Sequence, residues 1–274
     1  MSRLSHFTLP DGHVQIAFSG GRTSAFMLHQ ILEANSGLPE DRCEVTFQNT
    51  GREMPQTLDF VAEVGRRWGV MIVWLEYRAA KPLFEVVGYQ GASRNGEPFD
   101  ALIIKKQSLP NLHKKWCSAE LKTKTAKRYL VRSRGWRKWT SAIGFRADEG
   151  HRAPYPDNRA TPWLPLRAAN ISRADVSAFW RAQPFDLALP VVKGRTVGGN
   201  CDGCFLKSEA FLSAFSRDMP LRHAWWEGHE FARGHQFSDR YSRRELRQFM
   251  ELQGDWALST EGALCQSNDG ECMA

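Results

Sequence analysis

Two groups of residues in this 274-residue chain have the types and spacing to do chemistry. The first is Ser19-Gly20-Gly21-Arg22-Thr23-Ser24, which follows the apolar run Val14 to Phe18 and opens a helical pattern. Adjacent glycines let backbone N–H groups close on an anion, and the helix beginning near Ser24 points its positive end at it. Ser19, Thr23 and Ser24 add hydroxyl donors, and Arg22 adds charge. A plain glycine turn capping a helix has the same form, so the loop alone does not decide. It has neither the Gly-x-x-x-x-Gly-Lys-Ser/Thr spacing of a P-loop nor the Gly-x-Gly-x-x-Gly of a dinucleotide fold. The second group is Cys201-Asp202-Gly203-Cys204, a spacing that lets two thiolates meet one metal centre, with Cys117, Cys265 and Cys272 available to complete it. Four thiolates suit zinc or a 4Fe-4S cluster, whereas three leave one iron open. A redox dithiol and a structural pair are the alternatives.

Elements must place these groups. Val14 to Phe18 reads as a strand, Ser24 to Ala34 as the helix behind it, and Cys43 to Phe47 as a second strand running into Gln48-Asn49-Thr50-Gly51. A helix from Pro55 to Trp68 and a strand from Val70 to Leu75 follow. Residues 88–113 read as a Gly-, Ser- and Pro-rich excursion, Ser118 to Val131 as a basic helix, and Trp139 to Phe145 as a strand ending at Arg146. Ser172 and Asp175 cap a helix through Trp180, the stretch from Pro184 to Gly199 is loop-like, and residues 205–252 read as helices. The alternation predicts an α/β fold, a Rossmann-like parallel sheet with helices on both faces and ligands at the carboxyl ends of its strands, plus a C-terminal helical segment. Residues 1–210 form the expected nucleotide-binding domain carrying the cysteines, and 211–274 the helical segment with a polar tail. Cys43 reads as core, Trp68, Trp225 and Trp226 as packing, and His223, His229 and His235 as surface histidines.

Composition narrows the classes. Six cysteines in a chain of this size do not suggest a disulfide framework. No stretch approaches the roughly 20 apolar residues of a membrane span, and the first residues lack a signal-peptide centre, so the expectation is a cytoplasmic protein without a membrane partner. The net charge of +7 is uneven: residues 105–138 hold twelve Lys and Arg against Glu120 alone. That excess fits either a solvated basic helix face or an anionic partner, a nucleotide or a nucleic acid.

Five motifs taken in order, SGGRTS at 19–24, FQNTGREMPQTLDFV at 47–61, WCSAELKTKTAKRYL at 116–130, IGFRADEGHR at 143–152 and GNCDGCFLKS at 199–208, resemble the PP-loop ATP pyrophosphatase superfamily that includes phosphoadenylyl-sulfate (PAPS) reductases. The resemblance implies that Ser19 to Ser24 hold phosphates, that Asn49, Thr50 and Gly51 line the nucleotide site, and that Arg146 and Arg152 face the reacting phosphate or sulfate. Adenylyl-sulfate reductases of this superfamily hold a 4Fe-4S cluster with an early Cys-Cys and a later Cys-x-x-Cys. Cys201 and Cys204 match the later pair, but only Cys117 stands at the earlier place, before Ser118. That leaves the fourth ligand to Cys265, Cys272 or a non-protein group. Glu271-Cys272 copies the first two residues of a tail motif, Glu-Cys-Gly-x-His, whose cysteine is the reductase nucleophile, and lacks the rest. Two activities follow. One is an iron–sulfur enzyme that activates its substrate with ATP and Mg²⁺, helped by Arg22 and Arg146, and transfers sulfur from a sulfur or thiol donor protein, with nucleic acid as one acceptor. The other is a sulfonucleotide reductase using Cys272 to form sulfite. A non-catalytic nucleotide- or nucleic-acid-binding module is the third reading.

Overall fold

The structure is a computed structural model that describes residues 3–154, 157–192, 195–196 and 198–253. Cys265 and Cys272, with the polar tail, lie outside the described residues. Six strands build one sheet: β1 (Val14–Ala17), β2 (Cys43–Asn49), β3 (Ile72–Tyr77), β4 (Phe84–Val87), β5 (Trp139–Ala142) and β6 (Ala160–Trp163). Their order is β4-β3-β2-β1-β5-β6, every pairing parallel except that of β3 with β4. The order reverses at β1, which places the crevice of a doubly wound sheet directly above it. A short hairpin, β7 (Val191–Val192) with β8 (Arg195–Thr196), stands apart.

On one face Val14, Ile16, Val45 and Phe47 meet α1 (Arg22–Asn35), α2 (Pro55–Trp68) and α6 (Arg173–Ala182) in a continuous apolar core. The other face carries α3 (Glu97–Lys106), a π-helical stretch Ser118–Thr123, and α4 (Lys124–Arg132), whose Ala126, Tyr129 and Leu130 cover Val73 and Leu75. A one-turn helix, α5 (Pro165–Ala168), follows β6. The C-terminal helices α7 (Glu209–Asp218), α8 (Pro220–Arg233) and α9 (Arg243–Gln253) are joined to this body by shared packing, Phe215, Trp226 and Phe237 clustering with Phe99, Leu102 and Ile103 of α3. No helix among the described residues is long and apolar enough to cross a membrane.

The α/β expectation holds, as does the α6 cap, where Asp175 accepts from the Ser172 amide at 2.8 Å and Ser172 accepts from the Asp175 amide at 3.3 Å. Three differences stand out. The excursion 88–113 contains α3, started by Pro98 in its first turn, with Phe99, Leu102 and Ile103 turned inward. β6 carries Pro162, tolerated because the strand lies at the sheet edge. The expected helix 118–131 is π-wound over its first six residues before it becomes α4.

Candidate functional site

The Ser19 to Ser24 loop leaves β1 and enters α1 at Gly21, the N-cap, with no side chain occupying the cap. The amides of the first turn are therefore available to an anion. Gly20 is required twice over: its φ is +81°, and a Cβ there would sit 2.9 Å from Thr57, 3.0 Å from Phe47 and 3.1 Å from Val61. Ser24 shapes the loop from inside, contacting the Ser19 hydroxyl at 2.9 Å and donating to the Gly21 carbonyl at 3.0 Å. Arg146, just beyond β5, donates to Thr23 Oγ1 at 3.1 Å and pairs with Asp148 at 3.0 Å, so its guanidinium stands at the loop. Arg152 lies over the Phe145 ring, 4.4 Å from its centroid, and binds Glu149 at 2.8 Å. Arg22 turns away instead, forked onto Asp186 at 2.7 and 2.6 Å. In front of Ser19 and Phe18 opens a cavity of about 300 Å³ that reaches Gln48, Lys122 and Arg152.

The turn after β2 is buried. Asn49 donates to Glu76 at 2.6 Å and to the Ser93 carbonyl at 2.8 Å, while the Thr50 amide and hydroxyl both bind Glu53 at 2.8 Å. Gly51, at φ +78°, passes so close to Gly96 that a Cβ would lie 2.9 Å from its Cα. The side-chain donors of Asn49 and Thr50 thus fix the turn, and these three residues are absent from the cavity wall.

What that turn fixes is the cysteine group. Cys117, Cys201 and Cys204 line a second pocket of about 50 Å³, into which Lys122 and Asn200 also reach. Thr50 Oγ1 lies 3.4 Å from Cys201 Sγ, and the Arg52 carbonyl accepts from the Asp202 amide at 2.8 Å. Asp202, fully buried between the two cysteines, is the anchor: its carboxylate accepts from Arg52 at 2.7 Å, from Trp226 Nε1 at 2.8 Å and from the Gly203 amide at 2.7 Å, and pairs with Arg222. Buried Lys207 donates to the Asp202 carbonyl at 3.0 Å and buried Arg243 to the Gly203 carbonyl at 2.7 Å. Burial pushes the Cys117 thiol up and Cys201 up to about 12, and holds Lys207 down to about 8.

The three thiols of Cys117, Cys201 and Cys204 face one pocket. Raised thiols ionise when a cationic centre arrives, and the nearby N–H donors and buried cations are spent on the Asp202 carboxylate and on backbone carbonyls that fix the cysteine loop. Among the described residues no three His, Cys, Asp or Glu donors close around a single ion.

Comparison with known proteins adds a relationship at this point. An uncharacterised nin region protein of Escherichia phage lambda, ORF290, is 31% identical over 212 residues, which cover 74% of this chain and 69% of the lambda protein. The chain belongs to the family of that lambda protein. No family model matches it. The crystal structure of PAPS reductase from Candida auris in its phosphate complex is similar at 18% identity and a TM-score of 0.43, over 72% of this chain and 91% of that one.

Sequence reasoning singled out the three cysteines and the loop but missed what holds them. Arg52 and Asp202 lie 150 positions apart, and Arg243 follows much later, so no local spacing announces their convergence. The surface reading of His223 is corrected: it is fully buried on the inner side of α8, with Nε2 at 3.0 Å from the Arg243 carbonyl, and desolvation lowers its pKa. His229 is partly buried and pairs with Asp100 at 2.6 Å, while His235 is exposed. Cys43 and Trp226 are core residues as expected. Much of the basic segment is neutralised internally: Glu120 collects Lys106, Lys124 and Arg128, Lys127 pairs with Asp157, and Arg134 pairs with Glu44.

Proposed function

We propose that this chain is a PP-loop enzyme of the PAPS-reductase-like superfamily that binds an adenine nucleotide at Ser19 to Ser24 and carries out sulfur transfer beside a 4Fe-4S cluster held by Cys117, Cys201 and Cys204. One observation carries the reading: the cavity in front of the loop and the three-cysteine pocket share Ser118 and Lys122 as a common wall. A cluster with three protein ligands supplies an iron able to hold exogenous sulfide. The chain's own residues do the rest. Backbone amides of the loop, with the hydroxyls of Ser19 and Thr23, grip phosphate oxygens, and Mg²⁺ offsets the charge of a pyrophosphate leaving group. Arg146, fixed on Thr23, faces the phosphate whose charge grows as the bond to pyrophosphate breaks, and Arg152 flanks the entrance. Arg22 joins them on leaving Asp186. Lys122, held by Asn200 Oδ1 at 3.1 Å, places an ammonium between the nucleotide and the cysteines, where an anionic sulfur species must pass. Asn49, Thr50 and Gly51 act from behind, fixing the turn that seats Cys201. The acceptor, in this reading, is an anionic molecule such as nucleic acid, drawn by those cations of the basic 105–138 segment that pair with no carboxylate among the described residues, Arg132, Arg137 and Lys138 among them, with a thiol or sulfur-carrying protein as donor.

Anaerobic reconstitution with iron and sulfide tests the reading. Uptake of about four irons with a visible charge-transfer band, lost in Cys201→Ser, together with pyrophosphate release from ATP, supports it. Stoichiometric zinc without iron, or sulfite release from PAPS or adenylyl sulfate without pyrophosphate chemistry, overturns it in favour of a structural site or of a reductase.

A further inference from the structure

Several cations of the basic segment are already spent inside the protein: Lys106, Lys124 and Arg128 gather on Glu120, Lys127 on Asp157 and Arg134 on Glu44. Arg137 and Lys138, both exposed, and Arg159 from a later segment have no carboxylate partner among the described residues, and all three line one groove of about 560 Å³. The fold brings them together. β5 starts at Trp139 and β6 at Ala160, and the Trp139 amide donates to the Arg159 carbonyl at 3.0 Å, which sets residues 137–138 and 158–159 side by side at the amino ends of the two strands. Arg159 Nη1 is steered by a 3.4 Å hydrogen bond to the Arg137 carbonyl, Asn158 adds an amide, and Trp136, 2% exposed and stacked on His13 at 4.7 Å, closes the inner wall. Exposed Arg132 follows Val131, another wall residue. Like charges repel, so a fold that neutralises the neighbouring cations and leaves these together presents a surface whose favourable contacts come from an anion outside the chain.

Position sets the groove apart from the Ser19 to Ser24 loop. Val14 pairs with Thr140 beside the groove, and Ser19 lies five residues further along the chain from Val14, roughly 17 Å at the rise of a strand, toward the opposite end of the sheet. The groove nevertheless joins the cavity in front of the loop along the starts of β5 and β6: Trp139, Asp157 and Ala160 line the cavity, and their chain neighbours Lys138, Asn158 and Arg159 line the groove. An anion that suits both is a long one. None of the exposed large apolar side chains, Met71, Ile104 and Phe231 among them, lines the groove, so it lacks the exposed apolar centre of a protein interface, while guanidinium, ammonium and amide donors are the groups that hold a sugar–phosphate backbone. We infer that the groove binds the backbone of a nucleic acid, and that a strand held there by Arg137, Lys138 and Arg159 runs along the edge strand β6 toward the cavity. The groove stands on its own cations; the bound strand's part as sulfur acceptor rests on the proposed function.

Fluorescence anisotropy with a labelled single-stranded oligonucleotide, over a salt series, tests this in the full chain. Arg137→Gln/Lys138→Gln/Arg159→Gln should weaken binding by roughly a hundredfold at about 0.1 M salt and make the plot of log affinity against log salt about two units shallower, since each phosphate contact contributes about 0.7 to that slope. Lys124→Gln, whose charge Glu120 already takes up, should change neither. Thermal melting identifies loss of fold, and Arg137→Gln alone, whose side chain makes no hydrogen bond or ion pair among the described residues, gives about a third of the slope change should the triple variant fail to fold. Calorimetric titration of ATP should give the same affinity for the native chain and the triple variant. An oligonucleotide bound equally by both, or ATP weakened as much as the oligonucleotide, overturns the inference. So does polyglutamate held as tightly as the oligonucleotide and released by the same substitutions, which assigns the groove to an acidic protein. A native chain that binds oligonucleotide through the groove yet binds no ATP sinks the proposed function and leaves the groove, whereas one that binds ATP and no oligonucleotide sinks the groove and leaves the nucleotide site.

Discussion

Asp202→Ala should be among the most damaging single substitutions in the chain, although residue 202 touches neither cavity directly. Its carboxylate is the shared counter-ion of Arg52, itself 3% exposed, and of Arg222, and it also accepts from an indole and an amide. Removing it strands a guanidinium in a buried site, and breaking such a pair costs about 3–5 kcal/mol. At roughly 2–4 °C per kcal/mol for a chain of this size, the melting temperature should fall by on the order of 10 °C. Differential scanning fluorimetry reads that fall, and the rate at which a thiol reagent modifies Cys201 and Cys204 should rise as the loop between them loosens. The double variant Arg52→Met/Asp202→Leu removes the stranded charge and should melt above Asp202→Ala, although it lacks both partners. A shift below about 2 °C, or a double variant whose loss equals the sum of the two single ones, refutes the idea that this carboxylate anchors the cysteine loop.

Gly20→Ala should destabilise by about 2–4 kcal/mol, from a left-handed backbone and crowding against Thr57, Phe47 and Val61, and should abolish ATP binding in the same titration that finds it in the native chain. Arg146→Gln should weaken ATP binding by about tenfold without lowering the melting temperature by more than a few degrees, because its partner Asp148 is exposed and water takes over when the guanidinium is removed. His223 is buried neutral, so its folded pKa lies below that of the unfolded chain. The unfolded state takes up its proton first as pH falls below about 6.5, and stability should decline there. His29 acts in the same sense, whereas Glu44 and Glu230, raised by burial, act in the opposite one. The diagnostic comparison is therefore His223→Gln, whose melting temperature should vary less between pH 6.5 and 5.5 than that of the native chain. Charge reversal at Arg132, Arg137 and Lys138, which pair with no carboxylate among the described residues, should reduce retention on immobilised nucleic acid at low salt. Lys124→Gln should leave that retention nearly unchanged, because Glu120 already neutralises Lys124.

The parallel sheet was legible because Val14 to Phe18, Cys43 to Phe47 and Ile72 to Leu75 are short apolar runs separated by helical periods, and hydrophobic periodicity is a local signal. β4 and β6 were not, since FEVV and ATPW are four-residue edge strands half open to water, and what makes them strands is the neighbour they pair with. The helix α3 lay hidden in a run of turn formers because its apolar positions face α8, which comes more than a hundred residues later. The same distance explains the site. Gly20, Gly21 and the Cys-x-x-Cys announce themselves by their own spacing, whereas the partners of Asn49 and Thr50, Glu76 and Glu53, include one on another strand that no local spacing points to.

The two halves of the site are joined through one short piece of backbone, and this constrains how they can work. Phe47 packs under Gly20, Thr50 touches Cys201, and the Arg52 carbonyl holds the Asp202 amide, so six consecutive residues run from beneath the Ser19 to Ser24 loop to the cysteine loop. β2 is buried along this length and Glu53 and Glu76 clamp the turn, which leaves little freedom for one loop to move without the other. The Ser118–Thr123 segment on the opposite side is different: its π winding sacrifices regular helical pairing at the wall both pockets share. If the proposed function holds, a rigid floor and a π-wound wall mean that adjustment between an empty and a loaded cavity falls on Ser118 and Lys122. Hydrogen exchange should then show amides 118–123 slowing on ATP binding while those of 47–53 stay protected throughout; exchange that changes at 47–53 and not at 118–123 would reverse the assignment of rigid and moving parts.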